Sequence, residues 1–379
     1  MSQSKIWLSS PHMGGTEQKY VQEAFETNWI APLGPNVNGF EKDIENYLEE
    51  QVFVGALSSG TSALHLGLIL LDVKSEDEVI CQSMTFSASA NPILYQGAIP
   101  VFVDSELDTW NICPIALEEA IEDRILKGKK PKAIIAVHLY GMPYNVDEIH
   151  RIANKYNIPI LEDSAEAFGS LYKGKKCGTF GKIAALSFNG NKIITTSGGG
   201  ALVSKSKEIK DKAVFFSTQS RDNAPHYQHS EVGYNYRMSN ICAGIGRGQM
   251  EVLNAHVELR RKMHDFYVEY FKDIESVSIL KEPSGDYYSN HWLSAILIDA
   301  EKNAQKTAED LRLALELQNI ESRPLWKPMH KQPIFEKYPY YGKDVSEKLF
   351  EKGLCLPSGS NLKEEDKKRI KDVFDAFFK

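Results

Sequence analysis

A chain of 379 residues is longer than one core usually organises, which predicts a large and a smaller domain in one subunit. At 42% hydrophobic and 25% charged, its composition is that of an ordinary soluble globular protein. The formal net charge of −7, from 44 basic and 51 acidic residues, argues against a nucleic-acid binder, though not against a small anionic substrate.

The opening residues, Met1 to Trp7, carry no apolar signal core, and the apolar stretches near 64–71 and 133–139 are too short to span a bilayer. A cytoplasmic protein with no membrane partner is expected. Periodicity predicts a helix over 16–26, with Tyr20, Val21, Ala24 and Phe25 on one face and Thr16 as its cap. The loop at 28–35 is rich in Pro and Gly, and a second amphipathic helix follows over 37–50.

The run 52–57 reads as a strand that enters Ser58-Ser59-Gly60-Thr61-Ser62, the start of a helix. Such a turn either presents backbone N–H groups to an anion or is a simple capped βα connection. Further strands are expected at 78–82, 99–103, 132–139 and 158–163, with helices following Met84-Thr85-Phe86 and over 114–126 and 146–156. Near-continuous apolar strands alternating with helices predict an α/β fold with an open, mostly parallel sheet. Its ligands belong beyond the carboxyl ends of the strands, where Ser59 to Thr61, Phe86 and Asp163 fall.

Two short apolar runs, 184–188 and 200–203, bracket Lys192. A lysine between buried strands is either a snorkelling surface residue or a partly desolvated amine able to attack a carbonyl. An imine with an aldehyde is the chemistry this implies, and pyridoxal 5′-phosphate is the common protein-bound aldehyde. Asp163, at a strand end, is either a solvated loop acid or the carboxylate that keeps a pyridine nitrogen protonated. Glu166 is either a contact to the ring hydroxyl or a helix-surface charge, and Phe86 either stacks on the ring or belongs to the core.

Beyond a polar loop at 218–232 and helices at 241–253 and 255–271, the pattern becomes more charged. The expected division is a large domain over 1–250 and a small α+β domain over 251–379, with the N-terminal segment packing on the small one. Five scattered cysteines without a CxxC pair fit reduced thiols better than disulfides or zinc.

The chain resembles the DegT/DnrJ/EryC1/StrS family of sugar-nucleotide aminotransferases. The resemblance is carried by Ser59 to His65, Met84-Thr85-Phe86, His138-Leu139-Tyr140-Gly141, Glu162 to Gly169, Ser187 to Lys192, Gly233 to Arg237 and Trp326-Lys327-Pro328-Met329-His330. It covers essentially the whole length. It implies the fold type I architecture of aspartate aminotransferase-like enzymes and the cofactor pyridoxal 5′-phosphate, cycling through pyridoxamine phosphate. Lys192 is then the Schiff-base lysine, Asp163 the partner of the pyridine nitrogen and Glu166 the contact to the ring hydroxyl. Phe86 stacks on the ring, and Gly60, Thr61, Ser62 and Ser187 form the phosphate cradle. Asn235 matches a residue that reaches the phosphate from a second subunit, which implies a homodimer with shared sites.

Within the family the chain is similar to UDP-4-keto-6-deoxy-N-acetylglucosamine 4-aminotransferases of bacillosamine synthesis, on the segments 10–15, 28–34, 189–200 and 353–359. This implies L-glutamate as donor, 2-oxoglutarate as product and a UDP-linked 4-keto sugar as acceptor. Asn28, Trp29, Ile30, Ala31, Trp326, Lys327 and His330 are then substrate contacts. A GDP- or dTDP-linked 4-ketosugar is the rival substrate. A dehydratase of the same fold carries histidine in place of the lysine, and a regulator would need a DNA-reading segment that is not evident. One departure stands out: the family's Gly-Glu-Gly-Gly after the lysine reads Ser197-Gly198-Gly199-Gly200.

Overall fold

The structure, a computed structural model, describes residues 4–378. Residues 1–3 of the opening stretch, and Lys379, lie outside the described residues.

An eight-stranded sheet forms the centre of the molecule. Its spatial order is Phe53–Leu57, Gly200–Ser204, Ile183–Ser187, Ile160–Asp163, Ala133–Val137, Glu78–Gln82, Ile99–Val103 and Tyr340–Tyr341. From Ile183–Ser187 to Tyr340–Tyr341 every pairing is parallel. The strand Gly200–Ser204 runs against both of its neighbours. It therefore returns Gly200 to the edge where the strand Phe53–Leu57 ends, and Gly200 pairs with both Leu57 and Ser187.

The inner strands are mostly apolar and buried because both faces are covered. Along Glu78–Gln82, Val79 and Cys81 face one core and Ile80 the other. The first core takes in Leu64 and Leu68 of the helix Gly60–Leu70, and the second Leu117 and Ile121 of the helix Pro114–Leu126. The expected carboxyl-edge cluster forms: Ser58 to Gly60, Thr85 and Phe86, Asp163 and Ser187 all line one cavity.

A separate antiparallel sheet of four strands orders Val277–Ile279, Ser294–Ile298, Gly353–Leu356 and Arg323–Pro324. Its core includes Ile296, Leu354, Phe374 and also Ile6 from the N-terminal segment. The helix Leu253–Phe271 contributes to two cores. Leu253 and Val257 pack on the large-sheet side, and Met263, Tyr267 and Phe271 on the four-stranded sheet. Thr16 does not cap its helix; its hydroxyl donates to Glu251 at 2.9 Å. Among the described residues no helix is long and apolar enough to cross a membrane.

Candidate active site

The site is a cavity of about 550 Å3 at the carboxyl edge of the large sheet, completed by Leu8, Ser9, Trp292, Arg323 and Trp326 from outside that sheet. Ser59 caps the helix Gly60–Leu70 by accepting from the Ser62 N–H at 3.0 Å. Two further first-turn N–H groups, at Gly60 and Thr61, meet no protein acceptor among the described residues and open on the cavity. Close approach makes this edge glycine-dependent. A Cβ on Gly60 would lie 2.9 Å from Ser187 Cβ, and one on Gly200 would strike the Ser59–Gly60 backbone. Ser62 turns away: its hydroxyl pairs with Ser58 and Ser59, and it does not line the cavity.

Lys192 lies at the floor, with its side chain 11% exposed. Its Nζ is 3.3 Å from Oε1 of Glu166 and 4.1 Å from the centre of the Trp292 ring. Glu166 is buried and also accepts the Tyr140 N–H at 2.7 Å. Burial pushes its carboxyl up to about 7, although Lys192 and the Tyr140 N–H pull the other way. Tyr140 itself adopts a left-handed backbone, with φ 55°, and its hydroxyl accepts the Trp326 N–H at 2.9 Å.

Asp163 is buried and meets two protein donors, the Ser89 hydroxyl at 2.6 Å and the Ala165 N–H at 3.2 Å. Burial raises its carboxyl above the usual range despite these donors. Phe86 is 56% exposed on the cavity wall, its ring 5.5 Å from that of Trp326. The loop holding Lys192 is fastened from outside. Arg260, a fully buried guanidinium, donates to the carbonyls of Trp292 (2.7 Å), Ser358 (3.1 Å) and Lys192 (3.5 Å) and to the Ser9 hydroxyl (2.9 Å). The Trp292 indole N–H reaches the Asn191 carbonyl at 2.7 Å.

The sequence model of the DegT/DnrJ/EryC1/StrS aminotransferase family matches residues 11–375. The chain belongs to this family. It is 50% identical to EpsN of Bacillus subtilis (strain 168), provisionally named a pyridoxal phosphate-dependent aminotransferase, over 99% of this chain and 96% of that one. It is 37% identical to the GDP-perosamine synthase of Escherichia coli O157:H7, over 98% of both. Among solved structures, a DegT/DnrJ/EryC1/StrS aminotransferase from Brucella abortus superposes with a TM-score of 0.88 at 28% identity, covering 96% of this chain and 95% of that one.

Membership makes the chain an aminotransferase of fold type I, with pyridoxal 5′-phosphate as its cofactor. The donor set fits that group. Unpaired N–H groups at a helix N-terminus suit its phosphate. A buried carboxylate short of donors suits its ring nitrogen, and a poised amine beside it suits its aldehyde. The large, mostly parallel sheet agrees with the fold expected from the βα alternation.

Of the residues expected from sequence, Gly60, Thr61, Phe86, Asp163, Glu166, Ser187, Lys192 and Trp326 line one cavity. Others lie elsewhere in the chain. His330 points away from the cavity: Nδ1 meets the Ser83 hydroxyl at 2.7 Å, Nε2 meets Glu347 at 3.1 Å, and the ring stacks on Tyr340. Lys327 is exposed and outside the cavity lining. The stretch Asn28, Trp29, Ile30 and Ala31 sits on the surface, pinned by Asn240, whose side chain reaches the Trp29 carbonyl and whose N–H reaches that of Ala31. Asn235 is exposed and does not enter its own chain's cavity.

Four contributors were not singled out from sequence: Ser89, Tyr140, Arg260 and Trp292. Ser89 lies in the first turn of the helix Ser87–Tyr95 and meets the hydroxyl of Thr85, just ahead of that helix, at 2.7 Å. Arg260 lies midway between His256 and His264 at the same spacing, and all three are buried. Trp292 carries no local signal, because only tertiary folding brings it to Lys192.

Proposed function

We propose that the protein transfers an amino group from L-glutamate to C4 of a UDP-linked 4-keto-6-deoxy-N-acetylhexosamine, giving the UDP-4-amino-4,6-dideoxy sugar. The observation that carries the transferase chemistry is the convergence of Lys192, Asp163 and Glu166 below an open helix N-terminus in a single cavity. The choice of sugar rests on the segments 10–15, 28–34, 189–200 and 353–359, which are similar to UDP-sugar 4-aminotransferases.

Bound in this cavity, pyridoxal phosphate supplies an aldehyde and an electron-accepting ring. Gly60 and Thr61 N–H groups and Ser187 would hold its phosphate, and Phe86 would cover the ring. Asp163, kept in place by Ser89, would hold a proton on the ring nitrogen. Glu166, beside Lys192, would orient the ring hydroxyl. Lys192 would carry the cofactor, and its Nζ would move the proton at the α-carbon of the amino donor and at C4 of the sugar. The Trp292 ring, 4.1 Å from Nζ, and Arg260, which donates to the Lys192 carbonyl, hold that amine in place.

The working unit in this reading is a homodimer. Trp29, Ile30 and Leu33 form an exposed apolar stretch, 39%, 49% and 55% accessible in the single chain. A second copy would cover it and bring Asn28 to Ala31 and Asn235 to the neighbouring cavity. The division into units 1–250 and 251–379 belongs to the same proposal, with the helix Leu253–Phe271 as their joint.

One observation favours a second substrate: the 37% identity to a GDP-perosamine synthase. Incubation with glutamate and, in parallel, UDP-, GDP- and dTDP-linked 4-ketosugars, read by mass spectrometry, tests the assignment. Amination of the UDP sugar in preference to the others is expected. Preference for the GDP sugar would overturn the UDP assignment.

A further inference from the structure

A nucleotide sugar brings a permanent diphosphate anion into the cavity, and something must receive it. Among the described residues two cationic side chains line the cavity, Lys192 and Arg323. Lys192 is committed at the floor, beside Glu166 and Trp292. Arg323 stands at the rim. Its side chain is 68% exposed, and it borders both the main cavity and a shallower one that includes Lys5 and Arg312.

The guanidinium is oriented rather than consumed. Its Nε and Nη2 both donate to the same oxygen of Glu321, at 3.0 and 2.7 Å. Glu321 is itself fixed, since its other oxygen accepts the Leu8 N–H at 3.1 Å. Among the described residues Nη1 of Arg323 meets no acceptor, so one edge of the fork is open. The base is rigid: Arg323–Pro324 is a strand paired with Leu354 and Cys355, and Pro324, Trp326 and Cys355 continue the same cavity wall. Lys327 and His330, two of the substrate contacts that the resemblance implies, are outside that wall.

We propose that Arg323 is the residue that receives the diphosphate of the nucleotide sugar, with Glu321 as its positioning partner. This rests on the nucleotide-sugar aminotransferase reading above. A planar fork matches phosphate oxygens in a way that an ammonium does not. Position favours diphosphate over the carboxylate of the amino donor. The α-carboxylate of glutamate is bonded to the reacting carbon and must sit close to Lys192, whereas a diphosphate is separated from C4 by the sugar ring.

The test uses the cofactor-loaded wild type, Arg323→Ala and Arg323→Lys, with UDP, GDP and dTDP titrated by calorimetry. Thermal melting of each variant checks that it is folded. The nucleoside diphosphate bound best by the wild type should bind at least about tenfold more weakly to Arg323→Ala, the loss expected for one charge-assisted pair. Arg323→Lys should recover part of the loss. Equal affinity in wild type and Arg323→Ala, or a wild type that binds none of the three, overturns the proposal. The glutamate half-reaction, followed by bleaching of the cofactor absorbance, separates the two anions: a fall there as large as the fall in nucleotide affinity makes Arg323 a carboxylate receptor and also overturns it. Because binding is read without turnover, failure of the sugar assignment shows separately, as nucleotide binding without amination of any 4-ketosugar.

Discussion

Glu162 and Asp163 are neighbours on one strand, both buried, and they face opposite fates. Glu162 meets five donors: His138 Nε2 at 2.8 Å, the Ser164 hydroxyl at 2.9 Å, and the N–H groups of Gly178, Phe180 and Gly181 at 2.5, 2.8 and 2.8 Å. Burial pushes its carboxyl up, but His138 and these N–H groups outweigh it and hold it below the usual range. Tyr144 N–H donates to the other ring nitrogen of His138, at 3.2 Å, which fixes the proton on Nε2. Asp163, on the cavity side, has two donors and is pushed up by burial. The lesson is one of satisfaction. A carboxylate saturated by protein donors is structural, and one left short of donors at a cavity is waiting for a ligand.

Four substitutions can break that contrast. The largest effect expected is on stability. Glu162→Gln turns an amide toward donors that need an acceptor, so denaturant unfolding should show a loss of about 3–5 kcal/mol. The fraction still folded should keep its kcat. Next comes Asp163→Asn, which should cost roughly 10²–10³-fold in amino-transfer rate by removing the charge that the ring nitrogen needs, with the melting temperature close to that of wild type. If Glu162→Gln lost rate and Asp163→Asn lost stability, the contrast would be reversed.

Glu166 gives a pH-dependent arm. In the cofactor-free fold its carboxyl holds its proton up to about pH 7, against 4.5 for the ordinary group. The folded state therefore binds the extra proton, and Glu166 makes stability fall as pH rises between those values. Glu166→Gln should flatten this decline, by at most about 3 kcal/mol, in denaturation series run across that window. An unchanged slope would show that Glu166 is not held protonated. Ser89→Ala is the smallest of the four. It should cost about 1 kcal/mol of stability by removing one hydrogen bond to Asp163, and weaken cofactor retention on dialysis. Unchanged retention would mean that Ala165 alone positions the carboxylate.

Much of the sheet was legible because parallel strands buried on both faces announce themselves as short apolar runs. The strands at 78–82 and 99–103 and the helix at 114–126 occupy the spans expected. The reversal at Gly200–Ser204 was not legible, since an antiparallel strand in a covered sheet has the same composition as its neighbours. Lys192, Asp163 and Gly60 could be read because each sits at or just past the end of a strand, where topology forces it to the carboxyl edge. Trp292, Arg260 and Arg323 reach the site from far along the chain: Arg260 lies 68 residues beyond Lys192, and the other two lie farther still. No local pattern encodes such encounters. The partners of His330, which are Ser83, Glu347 and Tyr340, were not legible for the same reason, since only tertiary folding brings Ser83 to it.

The central claim is that Lys192 carries the cofactor and moves the proton. Borohydride reduction of the cofactor-loaded protein fixes the cofactor to whichever lysine it is bonded to, and peptide mass mapping then locates it. The adduct should fall on the peptide containing Lys192, and Lys192→Ala should show neither adduct nor amino transfer. An adduct on another lysine, or a Lys192→Ala protein that keeps full turnover, would contradict the account.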